Sequence, residues 1–505
     1  MSSQERSVQK FSGISPAEFF YRNRQMAGFG NPTQAVYSTV RELIENGLDA
    51  CEDAGKAPEI RIKIVDEDSD NVTVTVKDNG TGLPYDEVAQ AFGRILYGSK
   101  YERRQKRGTF GLGVTMAILY GQITTDSPVL ICTRFGEGLG RAYRLLIDIE
   151  KNAPILLSET TKRQHSLGTS VSICFKGDLK RAQERVLEYL RLTTVGTPNA
   201  RIIFNIDDEI QGCIGPWTSE APKTSIPVKP HPRAVDVELI QRLLNECEST
   251  TIRDFLVTSF QQLGTRTASK LLAFMNIDPK TPLDVLTRQD ISRLCQGMRH
   301  YDGFCSPDSK CLSPIGEASF TAGVRSTFNT SFLSYGRQGV FEWQGNPVIL
   351  EGVLAVGDSF SVSDTPTLYR MANRVPLLYD ASEDIFTKVV RQTSWRRYGF
   401  SKPQPAALFL NVSSTRIPYR ATGKQSLAHI MEIERETSLL LKVLGRFLSK
   451  KVSSGGAAAR NVKKRREYSE LIGIVAKYGS ELADFDSPPP TEHIVQRLFE
   501  VSEDE

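Results

Sequence analysis

The sequence predicts a mixed α/β (α+β) chain built as several domains, on three observations. Its 505 residues exceed what a single hydrophobic core organises. In the first quarter, Val72, Val74 and Val76 alternate with threonines at strand period, while Val36, Val40, Leu43 and Ile44 recur at helix period. A proline series, Pro216, Pro222, Pro227, Pro230 and Pro232, then separates this region from a helical stretch and a second mixed one.

The first helix carries RELIENGLDA over residues 41–50. At about 100° per residue, Glu42, Asn46 and Asp49 share roughly 60° of arc opposite the apolar stripe. An amide oxygen there suits hydrated Mg²⁺, which takes few protein ligands. A carboxylate beside it can activate a water. The valine strand runs into Lys77-Asp78-Asn79-Gly80-Thr81-Gly82, where a carboxylate at the strand end can accept a hydrogen bond from an exocyclic amine. The glycines leave room for a flat base. Next, Gly108, Gly111 and Gly113 open an apolar helical run that includes Val114 and Met116 to Leu119. Such a loop exposes backbone N–H groups and the positive end of a helix dipole to phosphate. Each segment alone has a plainer reading: a solvated helix face, an Asn-Gly hairpin turn, a chance glycine triplet. Their order makes an ATP site the leading expectation. The loop is no dinucleotide fingerprint, since charged residues precede it, and Gly423-Lys424-Gln425 is no Walker A loop.

From Asp236 to Met298 the periodicity is helical, with a break at Gly264-Thr265. CLSPIGE begins a second α/β region, with strands expected around Val348–Val356 and Leu408–Val412. A helix is expected from Ser426 onward, acidic first and basic later as its dipole favours. SSGGAAA at 453–459 should interrupt it. Net charge is only +4, yet cations crowd the approach to the glycine loop from Arg94 to Arg107 and recur from Lys450 to Arg466. Hydrophobic content of 40% and charged content of 24% are ordinary for a soluble globular protein. No apolar run reaches the roughly 20 residues of a membrane span, and the polar start suggests no export, so a cytoplasmic location is expected. The eight cysteines form no CxxC or zinc pattern with the five histidines, as reduced thiols would.

ELIENGLDAC, VKDNGTGLP, RGTFGLGVT and Gly168-Thr169 together resemble the ATPase fold shared by gyrase, MutL and histidine kinases, the GHKL superfamily with its Bergerat fold. SPAEFF, YGSKY, CLSPIGE, ANRVPLLYD, WRRYGF and IPYRATGKQS further resemble the B subunits of archaeal type IIB topoisomerases, those of DNA topoisomerase VI, from about Phe11 to about Leu448. The resemblance implies an N-terminal strap and GHKL ATPase domain over 1–225, a helix–two-turn–helix domain over 226–310, a ribosomal S5-like transducer over 311–470 and a tail over 471–505. It implies Glu42 as general base, Asn46 as Mg²⁺ ligand and Asp78 with Thr169 at adenine. Asp49 and Gly82 would complete the ATP pocket. Ser99, Lys100 and the loop Gly108, Thr109, Phe110, Gly111, Leu112, Gly113, Val114 and Thr115 would form a lid over the phosphates. Lys424 would reach the γ-phosphate from the transducer. Lys176, Lys180 and Arg181, and Trp395, Arg396, Arg397 and Tyr398, would touch DNA. One departure is Gly47, where the family commonly has Ser.

Sixteen tyrosines offer no singled-out nucleophile, so cleavage is expected to belong to a separate A subunit in an A2B2 assembly. The resemblance also implies ATP-dependent homodimerisation around double-stranded DNA, with no membrane role. A MutL-like repair ATPase and a non-catalytic ATP-dependent clamp are the alternatives. A histidine kinase would need a phosphoacceptor His on a dimerisation helix, and none of the five histidines has that setting.

Overall fold

The computed structural model describes residues 13–67, 70–98, 103–108, 111–162, 166–483 and 487–500, with backbone only at 452–462, 495 and 498–500. Ser99, Lys100, Thr109 and Phe110, expected in the lid, lie outside the described residues.

A short helix α1 (Pro16–Arg22) precedes the long helix α2 (Pro32–Asp53). Asn31 starts α2, accepting a hydrogen bond from Gln34 N, and Pro32 takes the first helical position, where its missing N–H costs nothing. Strands β1 (Glu59–Glu67) and β2 (Asn71–Lys77) follow, then α3 (Val88–Gly93) and α4 (Gly113–Thr125). Next come β3 (Val129–Arg134), β4 (Gly140–Asp148), β5 (Ala153–Lys162), β6 (Gly168–Lys176), α5 (Leu179–Gly196), β7 (Arg201–Ile206) and β8 (Ile210–Ile214). They form a sheet in the order β5-β4-β3-β6-β2-β1-β7-β8, in which only β1 and β7 run parallel. The valines of β2 point to the buried face and its threonines to the other, the period of two that the alternation predicts. Helices α4, α2 and α5 lie side by side on the buried face. Because α2 has sheet behind it and helices on both flanks, even its charged residues Arg41, Glu42, Glu45 and Asp49 are buried.

Beyond the proline-rich linker, α6 (Val237–Glu246), α7 (Ile252–Ser259), α8 (Thr265–Phe274) and α9 (Arg288–His300) enclose a separate core around Phe255, Leu271 and Met298. Asp236 and Thr251 cap α6 and α7, and Thr287 with Asp290 forms a capping box on α9. Helix α10 (Glu317–Thr327) leads into β9 (Phe332–Arg337), β10 (Phe341–Trp343), β11 (Asn346–Val356), β12 (Val362–Ser363), β13 (Thr367–Ala372) and β14 (Val375–Pro376). Helix α11 (Ile385–Gln392) and strand β15 (Gln404–Ser414) complete this second sheet, whose centre is the antiparallel pair β11–β15.

The last long helix, α12 (Met431–Leu482), spans 52 residues and is followed by α13 (Glu492–Glu500). It starts later than expected, because Leu427 N donates to Asp384 Oδ2 and Ala428 N to Pro418 O instead of closing helical turns. Nor does SSGGAAA interrupt it: the helix continues through all seven residues. Two glycines cost about 1 kcal/mol each relative to alanine, and propagation from formed flanks needs no fresh nucleus.

Trp395 departs from its expected DNA contact. It is buried, donates its indole N–H to Val390 O at 2.9 Å, and packs on Tyr398 and Phe400. Tyr398 in turn lies against Gly445 of α12, where an added Cβ would come within 2.5 Å of the ring. Only Arg396 and Arg397 of WRRY project into solvent, so the aromatic pair belongs to the core. Trp395→Ala should therefore cost about 3–5 kcal/mol of stability, read as a lowered denaturant midpoint of the full chain.

Candidate nucleotide site and its link to the second sheet

Asp78 stands at the end of β2, where its backbone N–H donates to Thr169 O at 2.9 Å. Its Oδ1 accepts from Gly80 N at 2.8 Å and Thr169 N at 3.1 Å. Burial lifts its pKa to about 6, against the lowering effect of those two hydrogen bonds. Glycines shape the space beside it. Gly168 has φ +108°, and an added Cβ there would come within 2.2 Å of Asp78 O. At Gly47, the departure noted above, a Cβ would meet Ile60 at 3.0 Å and Asp78 Cβ at 3.2 Å. The Thr169 hydroxyl pairs with Thr133 Oγ1 at 3.1 Å, and Gly82 at φ +71° packs its Cα against Arg134 O.

Glu42 projects from α2 toward the start of α4. A Cβ on Gly113 would fall 1.7 Å from Glu42 Oε2, so only glycine admits the carboxylate here. No side chain caps α4. With Gly111 at φ +62° and Leu112 turning the chain, the N–H groups of Gly113, Val114 and Thr115 form an uncapped first turn beside Glu42. That donor set fits an anion. Asn46 lies half-buried on the same helix, one turn from Glu42.

Charge around Glu42 comes from two sources. Arg41 donates Nη2 to Glu42 Oε1 at 2.5 Å and Nη1 to Gly423 O at 2.8 Å. Its Nε faces Glu45 Oε1 at 3.4 Å. Lys424, in the loop after β15, enters from the other module at φ +52°. Its ammonium donates to Glu45 Oε2 and Arg107 O, both at 3.1 Å, and lies 3.8 Å from Glu42 Oε2. Burial opposes the charge on Lys424, but Glu42 and Glu45 outweigh it and hold its pKa above the usual lysine range. The ammonium is charged.

Asp49 holds the glycine loop by its entrance. It accepts from Arg107 N at 3.4 Å, Arg107 Nη1 at 3.1 Å and Gly108 N at 3.3 Å. Arg107 also reaches Glu52 at 2.7 Å and Thr197 at 2.9 Å. Glu52 receives a second guanidinium, from Arg374 between β13 and β14, at 2.7 Å. Burial would raise Glu52, yet Arg107 and Arg374 hold it below the usual carboxylate range. Asn373 adds a hydrogen bond to Lys106 O at 3.0 Å, and Gln105 exchanges two with Ser313 at 2.7 and 3.0 Å. The basic run before the glycines is thus stitched into the second sheet.

The expected residues Glu42, Asn46, Asp49, Asp78, Gly82, Gly108, Gly111–Thr115, Thr169 and Lys424 therefore gather in one region. Lys176, Lys180 and Arg181 are exposed at the end of β6 and the start of α5, remote in sequence from Arg396 and Arg397. Arg41, Glu45, Glu52, Arg107 and Arg374 carry no local signature that singles them out from sequence. ANRVPLLYD stands out only as a whole, although its Arg374 is the residue that crosses between modules.

Residues 31–175 match the family described as "Histidine kinase-, DNA gyrase B-, and HSP90-like ATPase". Residues 307–465 match "Topoisomerase VI B subunit, transducer". Curated relatives that carry the name of the B subunit of type 2 DNA topoisomerase 6 include one from Saccharolobus islandicus strain Y.N.15.51, 39% identical over 98% of this chain and 94% of its own. One from Saccharolobus shibatae has the same identity and coverage. One from Saccharolobus solfataricus is 38% identical over 93% of this chain and 90% of its own. The chain belongs to the family of type 2 DNA topoisomerase 6 B subunits. A B subunit of topoisomerase 6 is the ATP-driven part of a type IIB enzyme, and the ATPase family match over residues 31–175 includes α2, β2 and the glycine loop. The transducer match separates it from a MutL-like ATPase that shares only the nucleotide motifs.

In this topoisomerase 6 B subunit the Arg374–Glu52–Arg107 chain should be energetically coupled. A double-mutant cycle of Arg374→Gln with Glu52→Gln, followed by denaturant unfolding, is expected to give a coupling of about 1–3 kcal/mol.

Proposed function

We propose that Mg·ATP binds between α2 and α4, and that Glu42 is the general base that activates water against the γ-phosphate. The observation that carries this reading is the convergence of Glu42, Lys424 and the uncapped start of α4. Asp78 would accept from the adenine amine through Oδ2, since Oδ1 is committed to Gly80 and Thr169. Among the described residues no group of three or more His, Cys, Asp and Glu is placed to hold a metal. Asn46 would therefore supply one protein oxygen, in keeping with the sparse protein ligation of Mg²⁺. Bound Mg²⁺ would supply charge neutralisation on the phosphate oxygens. Arg41 orients Glu42 by holding Oε1, leaving Oε2 toward Gly113 and Lys424.

Lys424 would exchange Glu45 and Glu42 for the γ-phosphate when nucleotide enters, so that the link between ATPase module and transducer passes through the nucleotide. Hydrolysis would undo that bridge and return the ammonium to the carboxylates. Such a ligand biases a two-state element by differential contact. The divisions near 225 and 310 are supported by separate cores around α2, around α6–α9 and around β11–β15, whereas α12 runs unbroken through the division at 470/471. Ile14, Phe19, Tyr21 and Met26 are exposed on the N-terminal arm while Ala17 and Phe20 anchor it, which supports a strap across a second copy in an ATP-closed dimer. On α12, Tyr468, Leu471, Val475, Tyr478 and Leu482 present an exposed apolar stripe at helical spacing. We assign that stripe to the A subunit of an A2B2 enzyme that cuts the DNA. Lys176, Lys180, Arg181, Arg396 and Arg397 would contact DNA phosphates.

Supercoil relaxation with the A partner and ATP tests the reading. Glu42→Ala should lower ATP turnover about 10²–10⁴-fold and abolish sustained relaxation, while nucleotide-dependent dimerisation survives. Wild-type turnover in that variant would remove Glu42 from the role.

Asp78 also predicts a pH dependence. Because burial lifts its pKa to about 6, the accepting carboxylate is present above that pH and is lost as pH falls through it. ATP affinity measured by calorimetry should therefore weaken below about pH 6, and Asp78→Asn should flatten that profile at a uniformly weaker level.

A further inference from the structure

A second cleft, of about 760 Å³, opens where the basic run before the glycine loop meets α6 and the segment after β15. Five basic side chains line it against the acids Asp236 and Glu238. Two of the five, Arg104 and Lys106, pair with Asp53 at 3.1 and 2.7 Å, one carboxylate against two cations. The other three, Arg103, Arg242 and Arg416, come from three different modules and have no carboxylate within ion-pair distance among the described residues. Asp236 is committed to capping α6 through Leu239 N at 2.7 Å. Burial, and then the charge of Arg242, push the Arg103 guanidinium below the usual arginine range; Asp236 opposes them and Arg416 adds to them. Against the five lining cations, Asp53, Asp236 and Glu238 supply three negative charges among the described residues, so the cleft keeps an excess of positive charge. The planar donor forks of its three unpaired guanidiniums match phosphate oxygens.

The cleft shares two walls with the nucleotide site. Gly108 lines it while its N–H reaches Asp49 at the glycine loop. Tyr419 lines it and also feels the charges of Lys424, Glu45 and Glu42. We propose that the cleft is an oxyanion site in which Arg103, Arg242 and Arg416 together hold inorganic phosphate as it leaves the nucleotide pocket. Phosphate held there joins the glycine-loop approach, the helical module and the transducer through one ligand, and its departure frees all three. The source of the ion rests on the ATPase reading above; the site itself does not.

The test uses the full chain without nucleotide, titrated with inorganic phosphate at constant ionic strength against chloride, with binding read by calorimetry and thermal unfolding. Arg242 and Arg416 are exposed. Arg242→Gln and Arg416→Gln should each weaken phosphate at least fivefold and leave ADP affinity within twofold. Added phosphate should slow wild-type ATP turnover more than that of the double variant. Wild-type phosphate affinity in the double variant would overturn the site. So would a parallel loss of ADP affinity, which would place the ion in the nucleotide pocket itself. Displacement of phosphate by a short DNA duplex, with turnover insensitive to added phosphate, would assign the cleft to a DNA backbone and overturn the released-phosphate source. Should the chain bind phosphate as expected yet hydrolyse no ATP, the ATPase reading would fail while the site stood.

Discussion

One buried ammonium organises this molecule. Lys424 lies between Glu45, Glu42 and the carbonyl of Arg107, so a charge from the second module joins Arg41 in compensating two carboxylates of α2. Removing one partner from such a group leaves an uncompensated buried charge, a far larger cost than the net worth of the pair. Nearly everything else at the junction follows from that constraint. Arg41 must hold Gly423 O to seat the loop, and the Thr422 hydroxyl donates to Met26 O on the N-terminal arm. The adjacent Glu52 needs both Arg107 and Arg374. The two modules are joined by buried charges that neither can neutralise alone. A nucleotide bearing its own negative charge is the natural competitor for the same cation.

The local features were legible because local physics sets them. The valine alternation of β2, the helical periodicity from Asp236 to Met298 and the glycine-led start of α4 all encode themselves within a few residues. Glu42, Asn46 and Asp78 could be singled out because each sits at a helix face or strand end that carries its own signature. Arg41 and Glu45 could not. A charge on α2 reads as solvated unless its partners are known, and besides Arg41 the partner of Glu45 lies 379 positions away. Arg374 was hidden for the same reason, in a turn whose purpose shows only when Glu52 is beside it.

WRRY illustrates the converse error. The family resemblance implied that all four residues touch DNA, but one helical turn sends Trp395 inward while Arg396 and Arg397 face water. Four residues of sequence do not say which side of a turn is the inside. Asp49 is subtler. Placed on the functional face by its spacing, it is engaged with Arg107 and Gly108, so it governs the loop's footing rather than presenting a bare carboxylate.

The 52-residue helix α12 has a mechanical consequence. At 1.5 Å per residue it is about 78 Å long. Its first turns pack against β9, β11 and α11, close in the chain to the Lys424 loop. A tilt of about 10° at that root would carry its far end through about 14 Å, by the same rise per residue. Any change of angle where α12 meets the second sheet would thus be enlarged along the unbroken helix, which is built to act as a lever.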